Sequence, residues 1–511
     1  MRLSKAAIES GKIKIPDSVR YIPDRDLPEK IIQFGEGNFL RAFIDWIFAR
    51  LADDKLFDGS VVVVQPIEQG RVQVLNEQGG LSTLIMRGYK GETPVEEIEI
   101  IKGISRGLNP YLQWEEILRC AENPDIEYVL SNTTEAGISF DPRDQWDLEP
   151  PCSFPGKITA YLYRRYKFFD GAAAKGLIFL PCELNDRNGG LLKSTVLRLA
   201  SYWKMEPAFI NWIEENNHFL NTLVDRTVTG YPKDEAQQLE DRLGYNDGLL
   251  NVCEMFHLWV IEDPLGLTEN LRFEKAGLNV KRVMDITPYR SRKVRILNGG
   301  HTSSVPAAFQ YGLNTVQEMM DHDILGQYVR KVIYGEIIPS LEGGRDELTG
   351  FAGEVARRFE NPLIKHYLSS ILLNSISKYA ARVIDSITAY CERYQKAPAL
   401  LSFSFAALIA LYRAGEIDGN TIVFEHCGEL AAIQDDPQSL AFFNRLWMDF
   451  AEGETDIAAL THTVLANKSL WGRDMTACCD LLETVSGDLA DIVRLGPADA
   501  INRIVNSSAA C

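Results

Sequence analysis

A short glycine turn between an apolar segment and an amphipathic one constrains the fold of this chain more than any other feature. The apolar segment 30–34 ends at Gly35-Glu36-Gly37. Apolar residues then recur at every fourth position: Phe39, Phe43, Ile47 and Leu51. This spacing places one apolar stripe along a helix. A buried strand, a tight glycine turn and a helix in direct succession are typical of the opening unit of a dinucleotide-binding α/β domain.

The alternation of strand and helix continues through the first 285 or so residues. Three later segments are typical of buried strands that end in polar or turn residues: 60–67, 126–137 and 176–184. Helical patterns dominate further on, at 306–334, 363–395, 399–414, 436–452 and 455–468. The sequence therefore predicts an α/β fold with a Rossmann-like N-terminal domain (1–285) and a mostly α-helical C-terminal domain (286–511).

Charge and cysteine usage limit the classes of partner and compartment. The 53 basic and 71 acidic residues give a net charge of -18, which argues against nucleic-acid and anionic-membrane partners. The nine cysteines are odd in number and scattered, a pattern typical of reduced thiols. The most apolar run, 399–412, is too short to span a membrane, and the first ten residues lack the apolar core of a signal peptide. We expect a cytoplasmic protein.

The glycine turn matches the dinucleotide fingerprint at two of its three glycine positions. Gly35 would permit the tight turn and Gly37 would let the backbone approach a pyrophosphate, while the third position is Leu40. The helix that follows would point unpaired N–H groups at a phosphate. The predicted cofactor contacts are Phe34, Gly35, Glu36, Gly37, Asn38 and Phe39. The alternative is an ordinary strand-to-helix turn.

Two further strand ends contribute candidate cofactor residues, because ligands of open α/β sheets bind beyond the carboxyl ends of the strands. The second strand ends at Gln65, where an acidic residue would accept from the adenosine ribose. A neutral Gln65 leaves the choice between NAD and NADP open. Asn132 and Thr133 could line the cofactor from another strand end, or could belong to a helix-capping loop.

The segment 288–301 concentrates the groups that alcohol oxidation needs. Hydride leaves carbon only as the hydroxyl proton is taken up, so a base and hydrogen-bond donors must converge there. Lys293 can be the base if burial and neighbouring cations lower its pKa, Asn298 can donate to the oxygen, and His301 can orient the substrate. Taken singly, each has a structural alternative: a solvated charge, a helix cap and a core histidine.

Two rival mechanisms are open to an alcohol dehydrogenase. Zinc would need a ligand cluster, but the seven histidines and nine cysteines show no recognisable ligand spacing, so we expect no metal. Tyr289 and Lys293 match the Tyr-x-x-x-Lys pair of short-chain dehydrogenases. The chain length, the glycine pattern and the position of this pair in the chain fit that family poorly.

Segments 31–46 and 293–306 together resemble the long-chain mannitol dehydrogenase family of polyol and uronate oxidoreductases, and the resemblance runs nearly end to end. Within the family it is strongest to uronate-specific members, supported by segments 219–232, 256–263 and 361–379. It implies a metal-independent enzyme that uses NAD to interconvert D-tagaturonate and D-altronate, as a monomer or small homo-oligomer. The alternatives are fructuronate with mannonate, mannitol with fructose, or a catalytically silent NAD-binding protein.

The resemblance also implies roles for individual residues. Lys293 would be the catalytic acid/base, and Asn298 would hold the substrate oxygen together with an asparagine of the other domain. In this chain that asparagine is predicted to be Asn188. Mannitol-type members read Cys-Asp-Asn where this chain has Cys182-Glu183-Leu184, so the alternatives are that Asn185 fills the role or that neither asparagine does.

Three more positions match the family's substrate motifs or depart from them. His301 and Lys378 match substrate-site positions, and Asp225 matches a motif acid whose role stays open. Arg290 stands where mannitol-type enzymes place an acidic residue, and residues 281–295 carry six basic side chains against one acidic. A local positive field suits a substrate with a carboxylate. The alternative is that several of these cations pair with surface carboxylates.

Overall fold

The computed structural model describes residues 1–23, 25–90, 93–413, 416–426 and 428–507. The chain divides into two compact units, Met1–Tyr289 and Arg290–Cys511, and the division falls inside the short helix Thr287–Arg292. The first unit is an α/β domain and the second is mostly helical, as the sequence predicted.

A six-stranded parallel sheet forms the centre of the first unit. Its strands, in chain order, are Glu29–Phe34, Ser60–Val64, Ile104–Leu108, Tyr128–Ser131, Ile178–Pro181 and His218–Phe219. They lie in the spatial order third, second, first, fourth, fifth, sixth, all parallel, which is the Rossmann arrangement. Residues 60–64 are buried without alternation, as expected for a strand covered on both faces.

The register of this sheet brings the predicted strand ends together. Phe34 pairs with Val64 on one side and with Ser131 on the other, and Ser131 pairs with Pro181. The residues that come next along four neighbouring strands therefore emerge at one edge of the sheet. This edge carries the glycine turn and the other candidate cofactor residues.

Helices connect and cover the strands of the first unit. They are Lys5–Glu9, Asn38–Leu40, Trp46–Asp53, Val72–Glu77, Pro110–Cys120, Phe154–Phe168, Asn188–Tyr202, Pro207–Asn216 and Ala236–Leu243, with short 3-10 turns at Glu135–Gly137, Ala173–Lys175, Glu269–Leu271 and Phe273–Ala276. A π-helical segment, Arg41–Asp45, joins the second and third of them into one continuous helix. Of the predicted stripe, Phe43, Ile47 and Leu51 are fully buried, and Phe39 is half-buried and packs against the same core.

Two smaller sheets in the first unit are mixed rather than parallel, and the sequence did not predict them. One contains Val19–Arg20, Ser82–Lys90, Thr93–Ile101, Val228–Gly230 and Asn251–Glu254, and the other contains Thr222–Asp225, Leu258–Glu262 and Val280–Val283. Most strands that pair in these two sheets are far apart in the chain, so local periodicity does not predict which strands pair. The exception is the antiparallel pair Ser82–Lys90 and Thr93–Ile101.

The second unit is a bundle of helices with one small antiparallel sheet. Its helices are Gly299–Tyr311, Val316–Asp321, Asp323–Val332, Ile338–Ser340, Arg345–Phe359, Leu368–Leu372, Ser375–Arg382, Ile384–Tyr394, Ala399–Leu411, Pro437–Ala451, Ile457–Leu465, Lys468–Trp471, Leu481–Leu495 and Pro497–Ser507. Two π-helical segments, Lys293–Asn298 and Ile333–Ile337, and a 3-10 turn, Met475–Ala477, complete it. The sheet consists of Glu416–Asp418, Thr421–His426 and Glu429–Gln434.

The helix Ala399–Leu411 lies in the centre of this bundle. Every residue from Leu400 to Leu411 is buried, which explains why the segment is apolar all round. The carboxylate of Glu336 accepts hydrogen bonds from the backbone N–H groups of Leu400 and Leu401, at 2.9 and 2.7 Å. Burial raises the pKa of Glu336 to about 7. A buried acid thus satisfies amides that no helix carbonyl can reach.

Within the described ranges, no helix is both long and apolar enough to cross a bilayer. The seven cysteines that lie in these ranges are free thiols, while Cys427 and Cys511 lie outside the described residues. Ala414, the last residue of the predicted helix 399–414, also lies outside them.

Candidate active site

The glycine turn combines a positive φ at Gly35 with an exposed helix N-cap at Gly37. Gly35 has φ +130°, and a Cβ atom there would lie 2.8 Å from Leu40 Cδ1 and 3.3 Å from the carbonyl oxygen of Asn132. Leu40, the departure from the glycine fingerprint, therefore packs back onto the first glycine. Gly37 is the exposed N-cap of the helix, and a Cβ atom there would meet nothing within 4 Å. No side chain at Gly37 therefore covers the backbone N–H groups of the first helical turn.

The side chain of Arg41 hydrogen-bonds to this turn, a role that was not predicted from the sequence. Its buried guanidinium donates to the carbonyl oxygen of Glu36 and, at 2.7 Å, to Asn38 Oδ1. Glu36 Oε1 accepts from the backbone N–H of Arg71 at 3.2 Å, and burial raises the pKa of Glu36. The side chains of Glu36 and Asn38 thus brace the loop. Of the predicted contacts, Gly37 and Asn38 are exposed, and Phe34, Gly35 and Glu36 are buried.

Two further buried polar residues, Gln33 and Asp45, lie beside Arg41. Gln33 Nε2 donates to the carbonyl oxygen of Gly35 at 3.0 Å and to Asp45 Oδ2 at 3.4 Å. Burial raises the pKa of Asp45 to about 7, against the attraction of Arg41. The π-helical turn contains both Arg41 and Asp45, so the wide turn places a cation and an acid directly below the glycine loop.

The side chain of Gln65 forms hydrogen bonds within its own loop. Its side chain is 2% exposed, and Nε2 donates to the carbonyl oxygens of Ile67 and Glu68 at 2.8 and 2.9 Å. A Cβ atom on Gly70 would lie 2.4 Å from Gln65 Cδ, so this loop closes tightly over the amide. A contact between Gln65 and a ribose stays a prediction. Glu68 is exposed in the same loop.

Glu183 joins the ends of the fourth and fifth strands of the parallel sheet. Its carboxylate accepts from the Thr133 backbone N–H at 3.0 Å, from Ser131 Oγ at 3.1 Å and from Thr133 Oγ1 at 3.3 Å. Asn132 Nδ2 donates to the carbonyl oxygen of Cys182 at 2.7 Å. Burial raises the pKa of Glu183. The residue that looked only like a departure from a family motif therefore shapes the loop that carries Asn132 and Thr133.

Asn188 is an anchor of the backbone. Its side chain is 0% exposed, and Nδ2 donates to the carbonyl oxygens of Pro181, Glu183 and Thr222 at 2.8, 3.0 and 3.1 Å. Its Oδ1 accepts from the backbone N–H groups of Gly189 and Thr222, both at 2.9 Å. The whole amide group is thus bonded to main chain. Asn185 is half-buried in the loop before this helix.

The segment 288–301, which contains Lys293, Asn298 and His301, belongs to one continuous helix with a π-helical turn at its centre. Helix Thr287–Arg292 leads into Lys293–Asn298 and then into Gly299–Tyr311. In a regular α-helix, residues five apart point about 140° away from each other. A turn with hydrogen bonds from i to i+5 brings them close to one face. Lys293 and Asn298 span this turn, and His301 follows three residues later.

Lys293 is 6% exposed, Asn298 is half-buried and His301 is 8% exposed. The two glycines between Asn298 and His301 allow close packing of their helix. A Cβ atom on Gly299 would lie 2.9 Å from the carbonyl oxygen of Arg382, and one on Gly300 would lie 3.0 Å from Ile333 Cδ1. The first turn of the helix therefore touches neighbouring helices directly.

His301 lies in an aromatic and basic environment. Its ring stacks on Phe359, with centroids 3.8 Å apart, and meets the edge of His366 at 5.2 Å. Its buried Nε2 has no hydrogen-bond partner among the described residues. Burial, aided by nearby basic groups, lowers the pKa of His301 well below its usual value and that of His366 to about 4. Both rings are therefore neutral near pH 7.

The basic residues between 281 and 295 have diverse contacts. Arg282 pairs with Glu274 at 3.0 Å and Arg292 with Glu347 at 2.5 Å, so the alternative of pairing with carboxylates is confirmed for these two. Arg295 donates to Ser386 Oγ and Ser340 Oγ at 2.5 and 2.8 Å. Arg290 is half-buried.

Two further predicted residues lie in different units. Lys378 is half-buried in the second unit and donates from Nζ to the carbonyl oxygen of Ile371 at 3.0 Å. Asp225 is buried at the end of strand Thr222–Asp225 in the first unit, and its role stays open. Across the described part of the chain, no group of three or more histidine, cysteine or acidic side chains could hold a metal ion.

Comparison with protein-family models decides the family. Residues 29–275 match the mannitol dehydrogenase Rossmann domain, and residues 285–493 match the mannitol dehydrogenase C-terminal domain. The chain belongs to the mannitol dehydrogenase family. This membership confirms the resemblance that segments 31–46 and 293–306 indicated.

Curated relatives of this chain match over almost their whole length. Proteins named altronate oxidoreductase from Yersinia enterocolitica and Escherichia coli are 44% and 45% identical to this chain, over 94% of it and 98% of the relative. One from Pectobacterium carotovorum is 44% identical with the same coverage.

Two solved structures share the fold over nearly the whole chain. Mannitol 2-dehydrogenase of Pseudomonas fluorescens, solved as a ternary complex with NAD and D-mannitol, is similar with a TM-score of 0.81 at 21% identity, over 99% of this chain and 100% of that one. A substrate-free D-sorbitol dehydrogenase gives a TM-score of 0.74 at 21% identity, over 98% and 100%.

Proposed function

We propose that this chain interconverts D-altronate and D-tagaturonate, with NAD as the oxidant in one direction and NADH as the reductant in the other. The observation that carries this is the similarity to altronate oxidoreductases, 44–45% identical over 94% of the chain. The segment with Lys293, Asn298 and His301 lies inside the matched family region.

The glycine turn fits the pyrophosphate of NAD. Gly37 leaves open space where any other residue would carry a side chain, and the N-terminal amides of the helix point at this space. Arg41 adds a fixed positive charge below the turn. Gly35, Gly37 and Asn38 would hold the pyrophosphate, with Asn132 and Thr133 at the neighbouring strand end. When bound, NAD supplies the acceptor for the hydride that leaves the alcohol carbon.

Lys293 acts as the acid/base in the proposed reaction. In the oxidising direction its Nζ takes up the hydroxyl proton, and in the reducing direction it returns a proton to the oxygen. Asn298, brought to the same face by the π-helical turn, donates to that oxygen through its amide. His301 is neutral, so its Nε2 can exchange a hydrogen bond with a second hydroxyl of the sugar.

We assign the second asparagine of the alkoxide site to Asn185. The amide of Asn188 already bonds five backbone groups, so a substrate contact would break bonds that join the end of one strand at Pro181 to the start of another at Thr222. Asn185 comes four residues after Pro181, where the fifth strand of the sheet ends, and it is half-buried.

The two asparagines should respond differently to substitution. Asn188→Ala is expected to lower the free energy of unfolding by about 3 kcal/mol, because it leaves buried backbone groups without partners. Asn185→Ala should lower kcat by about a hundredfold, the usual effect of removing one donor to a developing oxyanion, and leave Tm unchanged. Thermal unfolding and steady-state kinetics on both variants test this. A hundredfold loss of kcat in folded Asn188→Ala with an unaffected Asn185→Ala would reverse the assignment.

The wider cellular role follows the same proposal. The protein acts in the cytoplasm on a small sugar acid, in the breakdown of hexuronates, as a monomer or small homo-oligomer and without nucleic-acid partners. The net charge of -18 supports the last point.

The first experiment follows the loss of NADH absorbance with purified protein and, separately, tagaturonate, fructuronate and fructose. Turnover with tagaturonate above the others is the expected result. Preference for fructuronate or fructose would keep the chemistry and change the substrate. Binding of NADH without turnover of any ketose would favour the catalytically silent alternative.

A further inference from the structure

The surroundings of His301 are positively charged from several directions. The charged and titratable groups that act on its ring are His366, Arg358, Arg382 and Lys378, and each lowers its pKa. They come from helix Arg345–Phe359, from the loop that follows it and from helix Ser375–Arg382. Several cations that converge on one buried, neutral ring form a positive field that an anion would stabilise.

Arg382 is the cation whose position beside the reactive helix is best defined. Its Nη1 donates to Thr302 Oγ1 at 3.5 Å, next to His301 in the chain. Its carbonyl oxygen lies 2.9 Å from the position of a Cβ atom on Gly299. Arg382 therefore touches the turn of the helix that contains His301, both through its side chain and through its backbone.

Lys378 and Arg382 belong to one helix, Ser375–Arg382, at positions i and i+4. Residues at this spacing lie on the same face, about one turn apart. Because Arg382 donates to Thr302 Oγ1, this face is turned toward the helix that contains His301. An ammonium and a guanidinium side by side are the pair of groups that proteins use to bind a carboxylate.

The second observation that points to a ligand is the Nε2 atom of His301. The side chain is more than nine-tenths buried, and this atom has no hydrogen-bond partner in the described part of the chain. A buried polar atom without a partner costs free energy unless a ligand supplies the bond. A hydroxyl supplies it, since a neutral imidazole can donate to or accept from one.

We propose that Arg382, assisted by Lys378, binds the carboxylate of the sugar acid and thereby selects uronates over neutral ketoses, while His301 Nε2 bonds a hydroxyl of the same molecule. This inference rests on the proposed function and adds to it the residue that determines substrate class. The sequence pointed to Arg290 for this task, and that expectation becomes the rival in the experiment.

The test compares Arg382→Gln with the wild type on tagaturonate and on tagatose, the same ketose without the carboxylate. We expect KM for tagaturonate to rise about tenfold to a hundredfold, as for the loss of a charge-assisted hydrogen bond. The Kd for NADH and the kcat/KM for tagatose should change by less than about twofold, because neither depends on the lost contact. Arg357→Gln is the matched control, since Arg357 is exposed on helix Arg345–Phe359. It should behave as the wild type.

Two results would overturn the proposal: an unchanged KM for tagaturonate in folded Arg382→Gln, or an equal rise in KM with Arg290→Gln alone. If Arg382→Gln lowers Tm strongly, Arg382→Lys replaces it. That variant keeps the charge and loses the planar fork, so we expect a smaller rise in KM at an unchanged Tm, and an unchanged KM would again contradict the proposal. A wild type without turnover of tagaturonate would instead refute the proposed function.

Discussion

Replacing Lys293 by alanine is expected to lower kcat with tagaturonate by about a thousandfold or more, within the range of general acid–base catalysis. The side chain is buried on a π-helical turn, where water cannot substitute easily for its ammonium group as a proton donor. The Kd for NADH should stay within about twofold of the wild type, because the proposed nucleotide residues belong to the other unit. Stopped-flow single-turnover assays and fluorescence titration measure the two quantities.

The control for this prediction is Lys396→Ala, which removes an exposed lysine from the same unit. It should leave both kcat and Kd at their wild-type values. A Lys293→Ala protein that keeps more than about a tenth of the wild-type kcat would assign the proton transfer to another group. Loss of NADH binding together with kcat would indicate a defect of folding, which circular dichroism and Tm would reveal.

Replacing Gly37 by aspartate is expected to abolish cofactor binding without harming the fold. Gly37 is the N-cap of its helix, with φ -65° and ψ 167°, a conformation that aspartate adopts readily, and its Cβ position is open. Aspartate is a favoured N-cap, so Tm should be unchanged or slightly raised. The new carboxylate occupies the space proposed for the pyrophosphate and repels it, so the Kd for NADH should rise at least about a hundredfold.

Gly35→Ala is the instructive comparison for Gly37→Asp. The positive φ at Gly35 and the contact of 2.8 Å with Leu40 mean that any side chain there strains the turn itself. We expect a lower Tm and weaker NADH binding together. Isothermal titration and thermal unfolding separate the two cases. If Gly37→Asp bound NADH as tightly as the wild type, the glycine turn would not be the pyrophosphate site.

Much of the candidate site could be predicted from local patterns in the sequence. The glycine turn, the helix behind it and the buried strands depend on neighbours in the chain, and residues 60–64 and the stripe from Phe43 to Leu51 lie where periodicity placed them. The clustering of Lys293, Asn298 and His301 on one segment is likewise a property of the sequence alone. Their joint suitability for alcohol chemistry could be argued before any fold was known.

Other parts of the site depend on contacts between distant residues, which no local pattern reports. Glu183 looked like a departure from a motif, yet it fastens Ser131 and Thr133 across two strands. Arg41 was not predicted, although a cation four residues after the second glycine could have suggested that it stabilises the turn. Asn188 matched a motif by position, but both ends of its amide group are hydrogen-bonded to the surrounding backbone.

The sequence by itself determined the alternation of strands and helices around the parallel sheet, the glycine turn and the segment proposed for the chemistry, because short-range sterics and hydrophobic periodicity depend on adjacent residues. Only the tertiary structure decided how the side chains of that segment are arranged. The π-helical turn at Lys293–Asn298 and the approach of Arg382 to His301 arise where helices far apart in the chain pack together. Helix packing, which depends on every contacting surface at once, sets those positions.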